Sequence, residues 1–229
     1  MLKEALMRLA LILTHVVAFF LVSIPAHAEK VGTVRLVEIY GYGTLVGEKR
    51  QPLFARDDVI LNMEIESVED GRIDVRFKDN TRLIVGSLGK VKIDNFAFNS
   101  KSSTGDLSLN IATGLMRFVT GKMASKSYAV RTPSAVLGVR GTDFIVSIDA
   151  SGSTLVLVLD GIVEVTPTNG SPSLVNAGST AETDGKQISI MPTRGLPEIA
   201  ETTFGVSSES NDSGGGNDSG GGGGDGGGY

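Results

Sequence analysis

Cysteine and tryptophan are absent from this 229-residue chain, and its only two histidines, His15 and His27, fall within the first 28 residues. Without cysteine there is no disulfide, no lipidated cysteine and no thiol nucleophile, so stability rests on the core alone. If the first 28 residues are removed, histidine goes with them. That excludes a histidine-based triad and zinc sites of the His or Cys type, leaving carboxylate, hydroxyl, lysine and arginine chemistry. Aromatic residues make up 6% of the chain, too few for the stacking platforms that bind bases. Long apolar runs are also missing after residue 28. Charge or glycine interrupts each within about ten residues, short of the ~20 that a membrane helix needs.

Residues 1–28 have the three parts of a secretory signal. Lys3 and Arg8 supply the positive start, Leu9 to Ile24 is largely apolar, and Ala26-His27-Ala28 has the small-x-small form of a cleavage site. The expected mature chain therefore starts at Glu29, is exported, and has no transmembrane segment once the signal is gone. The net charge of the chain is −5, and losing Lys3, Glu4 and Arg8 makes it −6. An acidic surface disfavours nucleic acid as a partner.

Residues 31–190 read as short strands separated by turns. Ile73, Val75 and Phe77 alternate with Asp74, Arg76 and Lys78, and Asp79-Asn80 turns the chain into Thr81 to Val85: a hairpin with opposite charges available across it. Asp70-Gly71, Gly86 to Gly89, Ser151-Gly152-Ser153, Asp160-Gly161 and Asn169-Gly170 are further expected turns. Thr113-Gly114 is read as an interruption, and residues 113–125 as strand, turn, strand in preference to a short helix. Tyr40 to Gly43 is read as a loop or bulge. Thr154 to Leu159 is almost wholly apolar, so both of its faces are expected to be covered. The pattern specifies an all-β fold: a single domain of many short strands over residues 29–200, arranged as a β-roll, jelly roll or sandwich. Residues 201–229 turn rich in Gly, Ser, Asn and Asp, which cannot bury enough area to order, and are expected to form a disordered tail.

The most closely specified path is Tyr128 to Ile148, where Arg131, Thr132, Pro133, Gly138, Arg140, Gly141, Asp143 and Phe144 are the structural or interaction candidates. Proline fixes φ and glycine permits φ > 0. The two arginines could bind an anionic ligand in a groove, or bind turn carbonyls and pair with Asp143 to hold strands in register. No phosphate-loop pattern accompanies the glycines. The acids Asp57, Asp58, Glu64, Glu66, Glu69 and Asp70 could gather round a hard cation, but their turn and alternating positions are those of solvated surface acids. No catalytic residue, metal site or cofactor is expected, and the chain is not expected to be an enzyme.

Residues 130–144, Val-Arg-Thr-Pro-Ser-Ala-Val-Leu-Gly-Val-Arg-Gly-Thr-Asp-Phe, resemble the signature of the FecR domain family, named after the periplasmic sensor of ferric citrate signalling. Gly71 to Leu83, with Val91 and Ile93, is similar to that family's preceding strand pair, and Leu159 to Val165 to its closing strand. The resemblance covers about residues 50–165. It implies a β-rich domain of the periplasm, or secreted, in a Gram-negative bacterium, with no catalytic activity and with a protein or cell-envelope component as partner. Only the expected signal precedes the domain, so contact with a cytoplasmic sigma factor is not expected. A periplasmic sensor of iron uptake acting through a separate membrane partner is the second reading that the resemblance implies.

Overall fold

The computed structural model describes residues 29–124, 127–193 and Phe204, apart from the Arg140 side chain. The expected signal and most of the expected tail lie outside the described residues. The described chain is built from fifteen strands. These are β1 (Lys30–Glu38), β2 (Gly41–Thr44), β3 (Gln51–Pro52), β4 (Asp58–Ile60), β5 (Glu64–Ser67), β6 (Arg72–Phe77), β7 (Arg82–Val85) and β8 (Lys90–Asn99). They continue as β9 (Thr104–Val119), β10 (Tyr128–Arg131), β11 (Ala135–Ile148), β12 (Thr154–Pro167), β13 (Ser173–Asn176), β14 (Ser179–Thr183) and β15 (Ile188–Pro192). The all-β expectation holds, and residues 113–119 are strand rather than helix.

Three long strands, β9, β11 and β12, organise the sheet, because each belongs to two arms of it. In the first arm the order is β15-β14-β12-β11-β9-β7-β6-β1-β4. There β9 uses residues 114–119, β11 residues 143–148 and β12 residues 154–157 and onward. In the second arm the opposite halves of the same strands pair with others. The first half of β9 lies between β8 and β10, the first half of β11 between β10 and β12, and the last half of β12 beside β13. The β8 edge of that arm continues through β5 and β2 to β3. All these pairings are antiparallel except β9 with β10, which is parallel.

Both arms contribute to one core. Val34, Ile73, Val75, Leu83, Phe118, Phe144, Val146 and Val156 come from the first arm, and Ile65, Ile93, Leu109, Val130, Leu137, Val139 and Val163 from the second. Phe77 of the first arm stacks on Phe96 of the second at 5.7 Å, and Phe118 meets Tyr128 edge-on at 5.9 Å. The arrangement is a sandwich whose layers share strands.

The crossings are made at glycines with positive φ: Gly114 (88°), Gly141 (58°) and Gly161 (80°). At each one the inward-facing positions change parity. On β9 they run Leu107, Leu109, Ile111 and then Met116, Phe118; on β11 Leu137, Val139 and then Phe144, Val146, Ile148; on β12 Val156, Val158 and then Val163, Val165. A bulge switches the side chains to the opposite face, which keeps them on the core as the strand passes from one arm to the other. This corrects the sequence expectation at two points. Thr113-Gly114 does not interrupt a strand, and Asp160-Gly161 does not reverse the chain. Both bend a strand that continues. Gly161 also permits a close approach, since a Cβ there would lie 2.3 Å from the Gly141 carbonyl oxygen. Of Tyr40 to Gly43, read as a loop or bulge from the sequence, Gly41 to Gly43 belong to strand β2.

The expected hairpin at residues 73–85 is present as β6 and β7, with Ile73 opposite Val85 and Val75 opposite Leu83. Its cross-strand charge pair is Arg82, whose Nε and Nη2 donate to Asp74 Oδ2 at 2.9 and 2.6 Å. The turns at Asp70-Gly71, Gly86 to Gly89 and Ser151 to Ser153 are also where the sequence placed them.

Candidate functional site

Strand β10 is four residues long and is fastened to the opposite arm at both ends. At its start, the Tyr128 hydroxyl donates to Asp79 Oδ2 at 2.9 Å and accepts from the Gly121 and Met123 amides, each at 3.1 Å. Asp79 is wholly buried in the β6–β7 turn, where the Thr81 amide donates to Oδ1 at 3.0 Å and the Thr81 hydroxyl to Oδ2 at 2.6 Å. A buried carboxyl group is tolerated because its oxygens find donors. Burial pushes the Tyr128 phenol above its usual pKa, and the Asp79 carboxyl group raises it further.

At the other end, the Thr132-Pro133-Ser134 turn is held by hydroxyls. Ser134 Oγ lies 2.7 Å from Thr154 Oγ1 and 3.2 Å from the Thr183 carbonyl; Thr154 Oγ1 donates to Thr132 Oγ1 at 2.7 Å. Thr132 Oγ1 in turn donates to the Ala135 carbonyl at 3.1 Å and accepts from the Ala135 amide at 2.9 Å. Ser134, Thr154 and Thr183 are all buried. The hydroxyls thus donate in one direction, Ser134 to Thr154, Thr154 to Thr132 and Thr132 to the Ala135 carbonyl, an arrangement in which each bond polarises the next. Pro133 presets the turn and rests beside Gly152, where a Cβ would come within 3.3 Å of the proline ring.

Beside this turn, on the outer face of the second arm, is an open cleft of about 560 Å³. Asn110, Ala112, Arg131, Pro133, Val136 and Thr166 are among its lining residues. Register explains the grouping, because Arg131 stands opposite both Asn110 of β9 and Val136 of β11. Val136 is 42% exposed, so the floor is apolar and open to solvent. Arg131 is exposed and has no side-chain hydrogen bond or ion pair among the described residues.

The sequence candidates therefore separate. Arg131, Thr132 and Pro133 come together at the turn and the cleft. Gly138 lies within β11, where a Cβ would meet only ordinary contacts with Glu164. Gly141 is the bend. Phe144 is buried in the core against Phe118 at 5.5 Å. Asp143 faces the outside of the first arm and is held by Arg117, whose Nε and Nη2 donate to Oδ1 and Oδ2 at 2.9 and 2.6 Å. Of the two arginines offered as partners for Asp143, Arg131 is not one: Asp143 takes the forked bond from β9, because the Gly141 bend carries it into the other arm. Arg140 pairs through its backbone with Ile162, and its side chain lies outside the description.

Sequence reasoning missed Tyr128, Asp79, Ser134, Thr154, Thr183 and Arg117. The available signal was Thr154, a hydroxyl at an inward-facing position of an apolar strand, which must find a partner once buried. Of the expected surface acids, Asp58, Glu64 and Glu66 are paired with cations. Lys90 Nζ lies 2.8 Å from both Glu64 and Glu66, and Arg50 lies 2.9 Å from Glu66 and over the Tyr42 ring. Lys90, with help from Arg50, holds Glu66 below its usual pKa. No group of three or more potential metal ligands occurs among the described residues. Nor is any helix among them long and apolar enough to cross a membrane.

Comparison with known proteins gives one family. The model described as FecR protein matches residues 63–164, from the residue before β5 to the last half of β12. No curated protein matches the chain. Two crystal structures of a proposed anti-sigma factor from Parabacteroides distasonis ATCC 8503 align at 18% and 19% identity, with TM-scores of 0.45 and 0.44. Each alignment covers 56% of this chain and 59% of the other, so it spans less than two thirds of those proteins. The matched segment holds β5 to β11 and most of β12, with both fastenings of β10 to the Asp79 and Thr154 sides of the core, and residues 63–164 of this chain are a FecR domain.

Proposed function

We propose that this chain is an exported, non-enzymatic interaction domain that binds a protein or cell-envelope component in the periplasm, or outside the cell, of a Gram-negative bacterium. The observation that carries this reading is Arg131: an exposed guanidinium with no partner among the described residues, set over the apolar Val136 floor of an open cleft. The strand that presents it is fastened at both ends, so little ordering is left for binding to supply. A guanidinium beside an amide and an apolar floor suits a partner carboxylate carried on an apolar segment. The FecR match favours a second, narrower form of the same reading, a regulator in iron-uptake signalling that acts through a separate membrane partner.

Affinity capture from an envelope extract tests this, comparing the mature chain with its Arg131→Glu variant. Wild type should retain a specific envelope protein that the folded variant loses. Recovery of nothing by the folded wild type would sink the interaction reading, and equal recovery by Arg131→Glu would remove the cleft from the contact. Recovery of a receptor or an inner-membrane regulator would select the signalling form.

A further inference from the structure

The outer face of the second arm is an open sheet surface that carries two opposite charges without pairing them. Arg131 of β10 stands beside Val136 of β11, and Val136 beside Thr166 of β12. One step of two residues along, Gly138 of β11 stands beside Glu164 of β12, and Glu164 beside Leu174 of β13. The alternate residues Leu137, Val139, Val163 and Val165 are buried, so this set faces outward. Its apolar members are open to solvent: Val136, Ile162 and Leu174 are 42%, 38% and 56% exposed. Glu164 is exposed and, like Arg131, has no side-chain hydrogen bond or ion pair among the described residues. Gly138 lies between the two charges. Its φ is not positive, and a Cβ there would meet Glu164 no closer than 3.7 Å. Nothing inside the chain requires glycine at this position, although glycine weakens a strand. Such a residue marks a place where something outside the chain comes close to the backbone.

We propose that this face docks on the same face of a second copy of the chain, with Arg131 of each copy paired to Glu164 of the other. The inference rests on the reading of the Arg131 cleft as a contact surface and names its partner. Glu164, beside exposed Leu174 and two residues from exposed Ile162, is itself a carboxylate on an apolar segment. A two-fold contact is self-complementary, so the one pairing is made twice. Arg131 and Glu164 lie two strand spacings and one two-residue step apart, roughly 12 Å at about 4.8 Å per strand and 3.4 Å per residue. The two-fold axis that exchanges them lies in the plane of contact and crosses β11 between Val136 and Gly138. The two β11 strands cross there, and the missing side chain of Gly138 lets them approach. The same rotation carries Leu174 of each copy over the Ala112 and Pro133 side of the other's cleft. The charge pairs set the register, whereas burial of Val136, Ile162 and Leu174 supplies the attraction, because exposed ion pairs contribute little by themselves.

Sedimentation velocity on residues 29–229 tests the contact, using wild type, Arg131→Glu, Glu164→Arg and Gly138→Val. Wild type should run as a dimer at micromolar concentration. Each variant should remain folded by circular dichroism and dissociate at least tenfold more readily. Mixing Arg131→Glu with Glu164→Arg should restore a dimer, since one contact then keeps the native pair and the other reverses both of its charges. A wild type that stays monomeric, or a dimer that both charge reversals and Gly138→Val leave intact, would overturn the proposal. Capture from an envelope extract by the same samples separates the two readings. A monomer that retains an envelope protein through Arg131 overturns the self-association alone, and a monomer that retains nothing overturns the contact role of the cleft as well.

Discussion

Replacing Tyr128 with phenylalanine removes one oxygen atom and tests how the two arms are held together. The ring keeps its place against Phe118, so the core volume is unchanged. The hydroxyl's three hydrogen bonds are lost: one given to Asp79 and two received from the Gly121 and Met123 amides. Gly121 keeps the Thr81 hydroxyl as an acceptor, and Asp79 Oδ2 keeps the Thr81 hydroxyl as a donor. The buried Met123 bond has no such substitute. A buried amide without an acceptor costs about 1–3 kcal/mol, and a lost bond to a carboxyl group adds to it, so a loss of about 2–3 kcal/mol is expected. For a domain of this size that is a fall in Tm of roughly 5–10 °C. A scanning melt measures it, and a change under ~2 °C would refute the claim that this hydroxyl fastens the arms. The pH dependence gives a second readout. Because the folded phenol sits above its usual pKa, the folded state keeps a proton that the unfolded chain has lost. That contribution is complete below about pH 10 and is lost as pH rises through the folded value. Wild type should therefore lose stability across the alkaline range, and Tyr128→Phe should lack that component.

The bend glycines are expected to differ in tolerance. Gly161→Ala combines positive φ with a Cβ 2.3 Å from the Gly141 carbonyl, whereas Gly141→Ala has positive φ but nothing within 4 Å. Chemical denaturation should show the first losing more than about 2 kcal/mol and the second about 1 kcal/mol, and equal losses would contradict the close-approach argument. Thr154→Val keeps the side-chain shape and breaks the hydroxyl chain under the Pro133 turn; a loss of about 1–2 kcal/mol is expected, and an unchanged denaturation midpoint would refute it. In a double-mutant cycle, Arg117→Gln with Asp143→Asn should show a coupling of about 1 kcal/mol, the forked pair being half-buried. Glu66 is held below its usual pKa by Lys90, so its contribution is present above about pH 4.5 and is lost as pH falls through the lower folded value. Lys90→Met should flatten that acid limb in a pH series of melts, and an unaltered limb would count against the pairing.

Residue order alone specified local structure. Alternation at Ile73, Val75 and Phe77, the Asp79-Asn80 turn and the Leu83 to Val85 run specified a hairpin, because period-two burial and turn chemistry are properties of adjacent residues. The apolar run Thr154 to Leu159 specified a strand covered on both faces, as observed with Val156 and Val158 on the core and Leu157 beneath Phe204. What these local signals connect was set by the folding of the two arms onto one core. A glycine after a strand reads alike whether the chain reverses or bends, and the difference at Gly114 and Gly161 lies in which distant strand is waiting to pair. The change of inward parity across each glycine was legible in principle; the partner strands were not. In the same way Arg131, Thr132 and Pro133 could be singled out as a closely specified path, but their use could not. Asp143 went to Arg117 because the Gly141 bend carries it into the other arm, and Arg131 was left facing solvent over Val136. Sequence spacing fixes neighbours along a strand, whereas hydrogen-bond partners across a sandwich depend on how the two layers fold onto one core.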